Sequence, residues 1–258
     1  MKCVILAGGK GTRIAEESNT RPKPMVEIGS RPILWHIMKL YASFGVHDFI
    51  VCLGYKGYMV KEYFANYFLH QADVTFDMTG NRVEYHDCRS EPWKVTLVDT
   101  GEESMTGGRL AQVGKYLNAG EPFCMTYGDG LADIDINAEL AFHRGHGGKA
   151  TVACVRPPAR FGRIVLRGTQ VVSFEEKPPL EGALINGGFF ILDPSVLELI
   201  DGLDTVWEKQ PMERLAADGQ LGGWVHRGFW QPMDTLRDKQ LLNSLWDSGA
   251  APWKRWEG

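Results

Sequence analysis

Apolar positions along the chain fall into short runs that alternate with segments of helical periodicity. The runs cover residues 2–7, 48–53, 95–99, 122–127 and 150–155. Short apolar runs separated by helical segments are typical of a parallel sheet that is covered on both faces. The pattern therefore predicts an α/β fold in which a doubly wound, mostly parallel but mixed sheet is flanked by helices. A chain of 258 residues is long enough for one such core.

The segments between these runs predict helices and a hairpin. In residues 32–44 apolar side chains recur at helical spacing up to Gly45, which predicts an amphipathic helix packed on the sheet. Residues 57–69 carry a heavy aromatic load, which favours core packing over a contact between subunits. Residues 74–86, with MTGN in the middle, predict a β-hairpin.

The pattern changes after residue 160. Strand-like runs at 163–166, 171–175 and 184–192 are separated by turns, which predicts a small β-rich part in a substrate-facing half. A helix is expected over residues 236–247. The tryptophan-rich tail APWKRWEG that follows is expected to pack on the domain or on a neighbouring subunit.

Composition and charge narrow the class of protein. Charged residues make up 23% and apolar residues 44% of the chain, and no apolar run approaches the roughly 20 residues of a membrane helix. The net charge of −4 argues against a nucleic-acid surface, which is normally basic. The five cysteines form no CxxC pair and lie mostly in strand-like runs, which predicts buried free thiols. We therefore expect a cytoplasmic protein with no membrane and no nucleic-acid partner.

The first apolar run leads straight into a glycine-rich loop, LAGGKGTR, at residues 6–13. Its glycines allow a tight turn that brings backbone N–H groups close to phosphate oxygens. Arg13 adds a bidentate donor, and Lys23 adds a compact cation between two prolines. The spacing fits neither the Walker A loop nor the dinucleotide-binding loop. We interpret the segment as a binding loop for the phosphates of a nucleoside triphosphate.

Two acidic residues are candidate metal ligands. Asp129, in YGDG, falls at the carboxyl end of a predicted strand, where open α/β sheets bind ligands. Asp234 lies in FWQPMDT. Mg²⁺ on a nucleotide is typically held by one or two carboxylates together with phosphates and water. Asp133 and Asp135 compete for this role, but capping of the helix that follows explains them well.

Two further stretches carry polar groups suited to substrates. FEEKP (174–178) and INGGFF (185–190) supply a Glu, a Lys and an Asn, which can bind sugar hydroxyls and a sugar phosphate. GEESMTGGRL (101–110) places a glycine pair just before a helix, where free N–H groups can meet a base edge or a phosphate. By spacing alone, both stretches are also compatible with ordinary surface loops.

The glycine loop and the lysine segment together resemble a family signature. LAGGxGTR followed by PKxM is similar to the motif of the sugar-1-phosphate nucleotidyltransferases, and the resemblance, closest to the cytidylyltransferase branch, runs through essentially all 258 residues. Most members continue with a sequence similar to GTRLxPxT, whereas this chain has GTRIAEES, the acidic version found in that branch. The departure favours CTP over dTTP or UTP.

The resemblance implies roles for individual residues. Arg13 and Lys23 would act in catalysis, and Asp129 and Asp234 would hold Mg²⁺. Nucleotide binding would fall to Leu6, Ala7, Gly8, Gly9, Lys10, Gly11, Thr12, Arg13, Lys23, Ser104, Arg109 and Gly128. Sugar-phosphate binding would fall to Glu176, Lys177, Asn186 and Gly187.

The resemblance also implies a reaction and an architecture. We expect transfer of a cytidylyl group from CTP to α-D-glucose 1-phosphate, on a Rossmann-like fold of the GT-A type. Residues 1–258 would form one domain, with a nucleotide-binding half (1–130), a sugar-phosphate-binding half (131–235) and a C-terminal helix and tail (236–258). The branch usually forms homo-oligomers and feeds dideoxysugars into surface polysaccharide, which implies the same here.

Three alternatives stay open at this point. The enzyme could use UTP or dTTP with the same sugar phosphate. A metal-dependent glycosyltransferase would use a DxD pair of acids, for which the sequence offers Asp133 with Asp135. A silent regulatory subunit would be expected to have lost a key residue, but Arg13, Lys23 and both candidate metal ligands are present.

Overall fold

The computed structural model describes residues 1–87, 90–157, 163–167, 169–175 and 184–256. Its strands are β1 (Lys2–Leu6), β2 (Glu27–Ile28), β3 (Arg31–Pro32), β4 (Asp48–Leu53), β5 (Asp73–Asp77), β6 (Arg82–His86), β7 (Lys94–Asp99), β8 (Phe123–Tyr127), β9 (Gly130–Ala132), β10 (Ala150–Val155), β11 (Arg163–Arg167), β12 (Gln170–Glu175), β13 (Ile185–Leu192), β14 (Leu221–Val225) and β15 (Trp230–Pro232). Its α-helices are α1 (Ala15–Ser18), α2 (Ile33–Ala42), α3 (Gly57–Ala65), α4 (Tyr67–Gln71), α5 (Thr106–Gln112), α6 (Ile136–His146), α7 (Gln210–Ala217) and α8 (Leu236–Asp247). Single 3₁₀ turns cover Thr12–Ile14, Lys23–Met25, Gly114–Tyr116 and Pro194–Leu199.

Seven of the described strands form the main sheet, in the order β14-β10-β13-β8-β1-β4-β7. Strand β1 pairs in parallel with β4 and β8, and the pairs β4–β7 and β10–β14 are also parallel. Strand β13 runs in the opposite direction, because it pairs antiparallel with both β8 and β10. The predicted mixed, mostly parallel sheet flanked by helices is confirmed.

The three strand runs predicted after residue 160 are formed, and the third of them, strand β13, is a central strand of the main sheet. The strand is buried from Gly187 to Leu192. A strand that is buried on both faces is best accommodated between two neighbours, and β8 and β10 supply them. The first two of these runs form the antiparallel hairpin β11–β12, which is a two-stranded sheet of its own.

Both faces of the sheet are covered because the side chains of each strand alternate in direction. Cys3 and Ile5 of β1 belong to the apolar cluster that includes α2. Val4 and Leu6 point the other way and belong to the cluster that includes α5. The glycine loop therefore starts from a strand that is fixed from both sides.

The predicted helix over residues 57–69 is in fact two helices, α3 and α4, that meet at Asn66. Tyr63, Phe64 and Tyr67 are in mutual ring contact, whereas Tyr58 and Phe68 are more than half exposed, so the expected core packing holds for only part of the aromatic set. The hairpin predicted over residues 74–86 is formed by β5 and β6, which make a two-stranded sheet of their own.

The C-terminal tail packs on the domain, which is one of the two placements expected from the sequence. Helix α8 begins with a capping box between Thr235 and Asp238. Trp253 is fully buried, its ring stacks on Trp246, and its Nε1 donates to Nδ1 of His36 at 3.3 Å. Burial lowers the pKa of His36 to about 4, so the ring stays neutral and accepts this bond.

Of the four described cysteines, three agree with the predicted buried thiols, and Cys154 is free but only partly buried. Cys3, Cys52 and Cys124 are buried and free. Burial raises the pKa of Cys52 to about 12, because a thiolate would place a charge in an apolar core. Cys88 lies outside the described residues. Within the described ranges, no helix combines the length and apolarity that a membrane span requires.

Candidate active site

A cleft of about 770 Å³ opens at the carboxyl ends of β1 and β8. The predicted site residues along its wall are Leu6, Ala7, Gly8, Gly9, Lys10, Gly11, Thr12, Lys23, Ser104, Arg109, Gly128, Asp129, Asn186, Gly187 and Asp234. Arg13 lies in the turn Thr12–Ile14, but its side chain is outside what the structure describes, and so are Glu176 and Lys177. The cleft thus brings the predicted nucleotide segment and the described part of the predicted sugar segment together.

The glycines of the loop serve different purposes. A Cβ on Gly8 would lie 2.1 Å from Nη1 of Arg109, so a side chain is excluded by the protein itself. Gly11 has a φ of +62°, a backbone conformation that favours glycine. Gly9 is exposed, and no described protein atom lies within 4 Å of the place of its Cβ. Gly9 is therefore the position where the loop leaves room for a ligand to approach the backbone.

Lys23 joins the two candidate metal ligands. Its Nζ lies 2.6 Å from Oδ2 of Asp129 and 2.8 Å from Oδ1 of Asp234. The side chains of Lys23 and Asp234 are only 9% and 12% exposed, whereas that of Asp129 is 30% exposed. The two carboxylates therefore converge on one cation that is largely shielded from solvent.

A small antiparallel ribbon brings these two acids together. Strands β9 and β15 pair so that Gly130 lies opposite Pro232, and Met233 N donates to Asp129 O at 2.8 Å. Asp129 immediately precedes β9, and Asp234 follows β15 by two residues. The pairing of the ribbon thus fixes the separation of residues that are far apart in sequence.

The same geometry suits a divalent cation. Mg²⁺ prefers oxygen ligands and is usually held by one or two protein carboxylates together with substrate phosphates. The oxygens of Asp129 and Asp234 already surround a single positive group, the ammonium of Lys23. The donor set therefore fits the metal that the sequence predicted.

Arg109 forms several hydrogen bonds beside the glycine loop. It is 5% exposed, and burial lowers the pKa of its guanidinium. Nη1 donates to Gly101 O at 2.7 Å and to Thr100 Oγ1 at 2.8 Å. Nη2 donates to Gly8 O at 3.1 Å and to Glu102 O at 3.0 Å. Arg109 thus ties the glycine loop to the loop after β7, and a direct contact with the nucleotide stays a prediction.

The glycine pair at 107–108 has a different role from the one expected. The N–H groups of Met105 and Gly107 donate to the carbonyls of Leu203 and Thr205, each at 2.9 Å. A Cβ on Gly108 would lie 2.2 Å from Leu203 O. The expectation that these N–H groups are free for a base or a phosphate is therefore wrong. The glycines are needed because the backbone of residues 203–205 packs against the start of α5.

Ser104 and Lys10 both line the cleft and contact the loop after β7. Ser104 Oγ donates to Thr100 O, which fixes the loop after β7. Lys10 Nζ lies 2.7 Å from Oε1 of Glu103, a contact that raises the pKa of Lys10 and lowers that of Glu103. Both partners are exposed, so this ion pair contributes little to stability.

The far wall of the cleft contains residues that sequence reasoning largely missed. Trp230 donates from Nε1 to Gly187 O at 2.7 Å. Tyr127 and Glu208 also line the cleft. Tyr127 stands directly before the GDG sequence, which was a usable signal, whereas Glu208 lies in a segment without a recognisable pattern.

The competing acids lie elsewhere. Asp135 caps α6 by accepting from Ala138 N, as predicted. Asp133 does not cap this helix: it lies 3.0 Å from Nε2 of His226. Neither acid belongs to the described wall of the cleft. The DxD alternative therefore has no support from the position of these side chains.

Comparison with known proteins gives relatives along the whole chain. The family model described as nucleotidyl transferase matches residues 2–217. A glucose-1-phosphate cytidylyltransferase from Salmonella typhimurium is 61% identical over 257 residues, which is 100% of both chains. A probable glucose-1-phosphate cytidylyltransferase from Bacillus subtilis is 42% identical over 258 residues, with 99% of this chain and 100% of the relative covered.

Solved structures of low sequence identity share the fold. A putative glucose-1-phosphate thymidylyltransferase from Bacillus anthracis superposes with a TM-score of 0.69 at 18% identity, over 97% of this chain and 95% of that one. A UDP-glucose pyrophosphorylase bound to UDP-glucose superposes with a TM-score of 0.67 at 16% identity, over 96% and 98%. The GT-A type of Rossmann-like fold is thus confirmed. By its family model and its full-length relatives, the chain belongs to the nucleotidyl transferase family.

Proposed function

We propose that the protein transfers the cytidylyl group of CTP to α-D-glucose 1-phosphate and releases CDP-glucose and pyrophosphate. The observation that carries the proposal is the ammonium of Lys23, shared by Asp129 and Asp234 in a cleft rimmed by the glycine loop. This concentration of charged groups suits a reaction between two phosphate anions. The full-length similarity to glucose-1-phosphate cytidylyltransferases and the GTRIAEES sequence support CTP and glucose as the substrates.

The attacking group needs no general base. A phosphate monoester has a second pKa of about 6, so the sugar phosphate is mostly a dianion at pH 7. One of its oxygens forms a bond to the α-phosphorus of CTP while the bond to pyrophosphate breaks, and pyrophosphate leaves with the electron pair. The obstacle is repulsion between anions. Catalysis therefore relies on positioning and charge neutralisation.

Lys23 and Arg13 neutralise the triphosphate side of the reaction. Lys23 is held at the floor of the cleft by two carboxylates, and the 3₁₀ turn that carries it is preceded by a proline. The backbone at Gly9 is open to the cleft, so its N–H group can approach a phosphate. The sugar phosphate has its own cation in Lys177, which is a proposal from sequence because this residue lies outside the described ranges.

Asp129 and Asp234 would hold Mg²⁺. The ion, when bound, supplies charge neutralisation on the triphosphate without a proton-transfer step. Asp129 precedes β9 and Asp234 follows β15. Because these strands pair with each other, the spacing of the two side chains is set before any ligand binds. This preorganisation is what the chain itself contributes.

The proposal is tested by product analysis. The protein is incubated with CTP, α-D-glucose 1-phosphate and MgCl₂, and phosphorus NMR follows the mixture. We expect CDP-glucose and pyrophosphate in equal amounts, and the reverse reaction when both products are supplied. Release of inorganic phosphate, or transfer of glucose from a nucleotide sugar to an acceptor, would instead point to another enzyme class.

We also propose that the protein is a cytoplasmic homo-oligomer. Its buried free thiols fit a reducing compartment. The hairpin β5–β6 places Phe76, Val83 and Tyr85 on one face, and each is about half exposed. Exposed apolar faces mark contact surfaces between proteins. Sedimentation should show an oligomer that Phe76→Glu weakens; a monomer at micromolar concentration would remove this part of the proposal.

A further inference from the structure

A series of hydrogen bonds joins four residues of the cleft wall, from Thr106 through Glu208 and Tyr127 to Asn186. Glu208 Oε2 accepts a hydrogen bond from Thr106 Oγ1 at 2.6 Å. Oε1 of Glu208 accepts one from the Tyr127 hydroxyl. The Tyr127 hydroxyl in turn accepts one from Asn186 Nδ2 at 3.4 Å. All four residues line the cleft, and Glu208 and Tyr127 take no part in the proposed charge neutralisation.

The direction of each bond follows from the chemistry of the groups. An ionised carboxylate only accepts hydrogen bonds, so the hydroxyls of Thr106 and Tyr127 both donate to Glu208. Burial raises the pKa of Tyr127, and the charge of Glu208 adds to this effect, so the phenol keeps its proton. Because that proton points to Glu208, the Tyr127 oxygen is an acceptor on the side of Asn186.

These directions also set the orientation of the Asn186 amide. Its Oδ1 accepts from Gly188 N at 2.8 Å, and its Nδ2 donates to the Tyr127 hydroxyl. An amide nitrogen carries two N–H groups, and Tyr127 is its partner among the described residues. The second N–H can therefore be donated to an oxygen atom of a ligand in the cleft.

Two further contacts hold this series of hydrogen bonds in place. Trp207 N donates to Thr106 Oγ1 at 2.9 Å, so the residue before Glu208 is attached to the start of α5. The Tyr127 ring packs on Gly188, where a Cβ would lie 2.5 Å from the ring. A shift in the Glu208 carboxylate would therefore be transmitted to Tyr127 and Asn186.

We propose that Glu208 is a positioning residue for the sugar, acting through Tyr127 to fix the Asn186 amide with an N–H toward a hydroxyl oxygen of the hexose. The inference rests on the proposed function, because it takes the occupant of this side of the cleft to be a sugar phosphate. A glutamine at position 208 would keep its amide oxygen toward Thr106 Oγ1, which accepts from Trp207 N and donates to residue 208, so its N–H would be donated to the Tyr127 oxygen. The Tyr127 proton would then point to Asn186 and oppose the amide orientation shown here.

Steady-state kinetics of Glu208→Gln test the inference. We expect KM for glucose 1-phosphate to rise about tenfold, as for the loss of one hydrogen bond, while kcat and KM for CTP change by less than about twofold. A series of monodeoxy glucose 1-phosphates gives a second measure. The unsubstituted protein should lose kcat/KM with the analogue that lacks the bound hydroxyl, and the variant should show little further loss with that analogue.

Two controls keep the inference testable. Tyr127→Phe removes the hydroxyl but keeps the ring on Gly188, and should reproduce the KM effect even if Glu208→Gln fails to fold. Tyr67→Phe removes a buried hydroxyl that accepts from Trp35 Nε1 away from the cleft, and should leave KM for the sugar unchanged. An unchanged KM in Tyr127→Phe, or an equal deoxy-sugar penalty in variant and unsubstituted protein, would overturn the inference. Absence of turnover by the unsubstituted protein would instead count against the proposed function.

Discussion

Lys23 Nζ lies 2.6 Å from Oδ2 of Asp129, at the point where this carboxylate and that of Asp234 converge. An ammonium group and a divalent cation compete for the same oxygens, because both are positive and both are bound by carboxylates. A metal ion that took the oxygens contacted by Lys23 would displace the ammonium from at least one carboxylate. Once it leaves, the lysine is available to a phosphate group. The contact of Lys23 with the two carboxylates would thus connect metal binding and phosphate binding in one site.

Replacing Lys23 tests this competition without measuring activity. Lys23→Met removes the largely buried ammonium that contacts both carboxylates, so we expect a loss of about 2 kcal/mol in the free energy of unfolding. Millimolar Mg²⁺ should raise the melting temperature of this variant more than that of the unsubstituted protein, because the ion can replace the ammonium.

A matched control comes from another lysine. Lys39 Nζ lies 3.0 Å from Glu91 Oε2, and both side chains are mostly buried and absent from the cleft wall. Lys39→Met should also lower the melting temperature, but Mg²⁺ should not restore it. Equal responses of both variants to Mg²⁺ would show that the ion does not bind where Lys23 was.

Asp129→Asn should lower turnover by about a hundredfold or more, since a metal-bound transition state loses several kcal/mol of stabilisation. Steady-state rates at saturating Mg²⁺ measure the effect, and a cooperative thermal transition shows that the fold is kept. Asp135→Asn is the comparison, because that residue caps α6 and lies outside the cleft wall. Near-normal turnover of Asp129→Asn would remove this acid from the site.

Gly9→Ala should leave the fold intact and weaken nucleotide binding. The added Cβ would meet no described protein atom within 4 Å, but it would point into the space that the loop leaves for a ligand. We expect KM for CTP to rise about tenfold with little change in melting temperature. Gly145→Ala, in the exposed part of α6, also meets no described atom and should raise stability without changing KM. An unaltered KM for CTP in Gly9→Ala would contradict the role given to Gly9.

Glu139 should make stability fall as the pH rises. It is fully buried, and neither carboxylate oxygen has a hydrogen-bond partner among the described residues. Burial raises its pKa from 4.5 to about 8, so the folded state binds a proton that the unfolded state has already lost above about pH 5. The free energy of unfolding should therefore decrease between about pH 5 and pH 8, by on the order of 4 kcal/mol at most.

The variant Glu139→Gln isolates this contribution, because a glutamine of nearly the same shape does not titrate. Denaturant unfolding of both proteins at pH 5 and pH 8 gives the comparison. We expect the variant to lose less stability than the unsubstituted protein over this range. Parallel pH dependence in the two proteins would mean that Glu139 is charged in the folded state.

The sequence predicted those parts of the site that are continuous along the chain. The strand β1 and the glycine loop are adjacent in sequence, so their apolar and glycine patterns were sufficient to predict a strand that leads into a phosphate-binding loop. The bounds of α8 also followed from local periodicity. The fold class was predictable because alternating strands and helices leave few arrangements for one core.

The remaining parts depend on contacts between distant residues. Asp129 and Asp234 converge because β9 pairs with β15, and short strands of three residues leave almost no pattern. The glycine pair at 107–108 looked like a ligand-binding loop because the backbone of residues 203–205, which packs on it, lies about a hundred positions away. Glu208 was missed for the same reason. Its partners come from α5 and β8.

The proposed transfer of a cytidylyl group to glucose 1-phosphate is tested most directly by the rate of pyrophosphate release with this sugar phosphate and each of CTP, UTP, dTTP and GTP. Values of kcat/KM, measured at the same Mg²⁺ concentration, give the base preference. We expect CTP to be preferred over each of the others by a factor of about ten or more. A preference for UTP or dTTP would contradict the assignment of cytidine while keeping the reaction class, and no release with any nucleotide would contradict the proposed function as a whole.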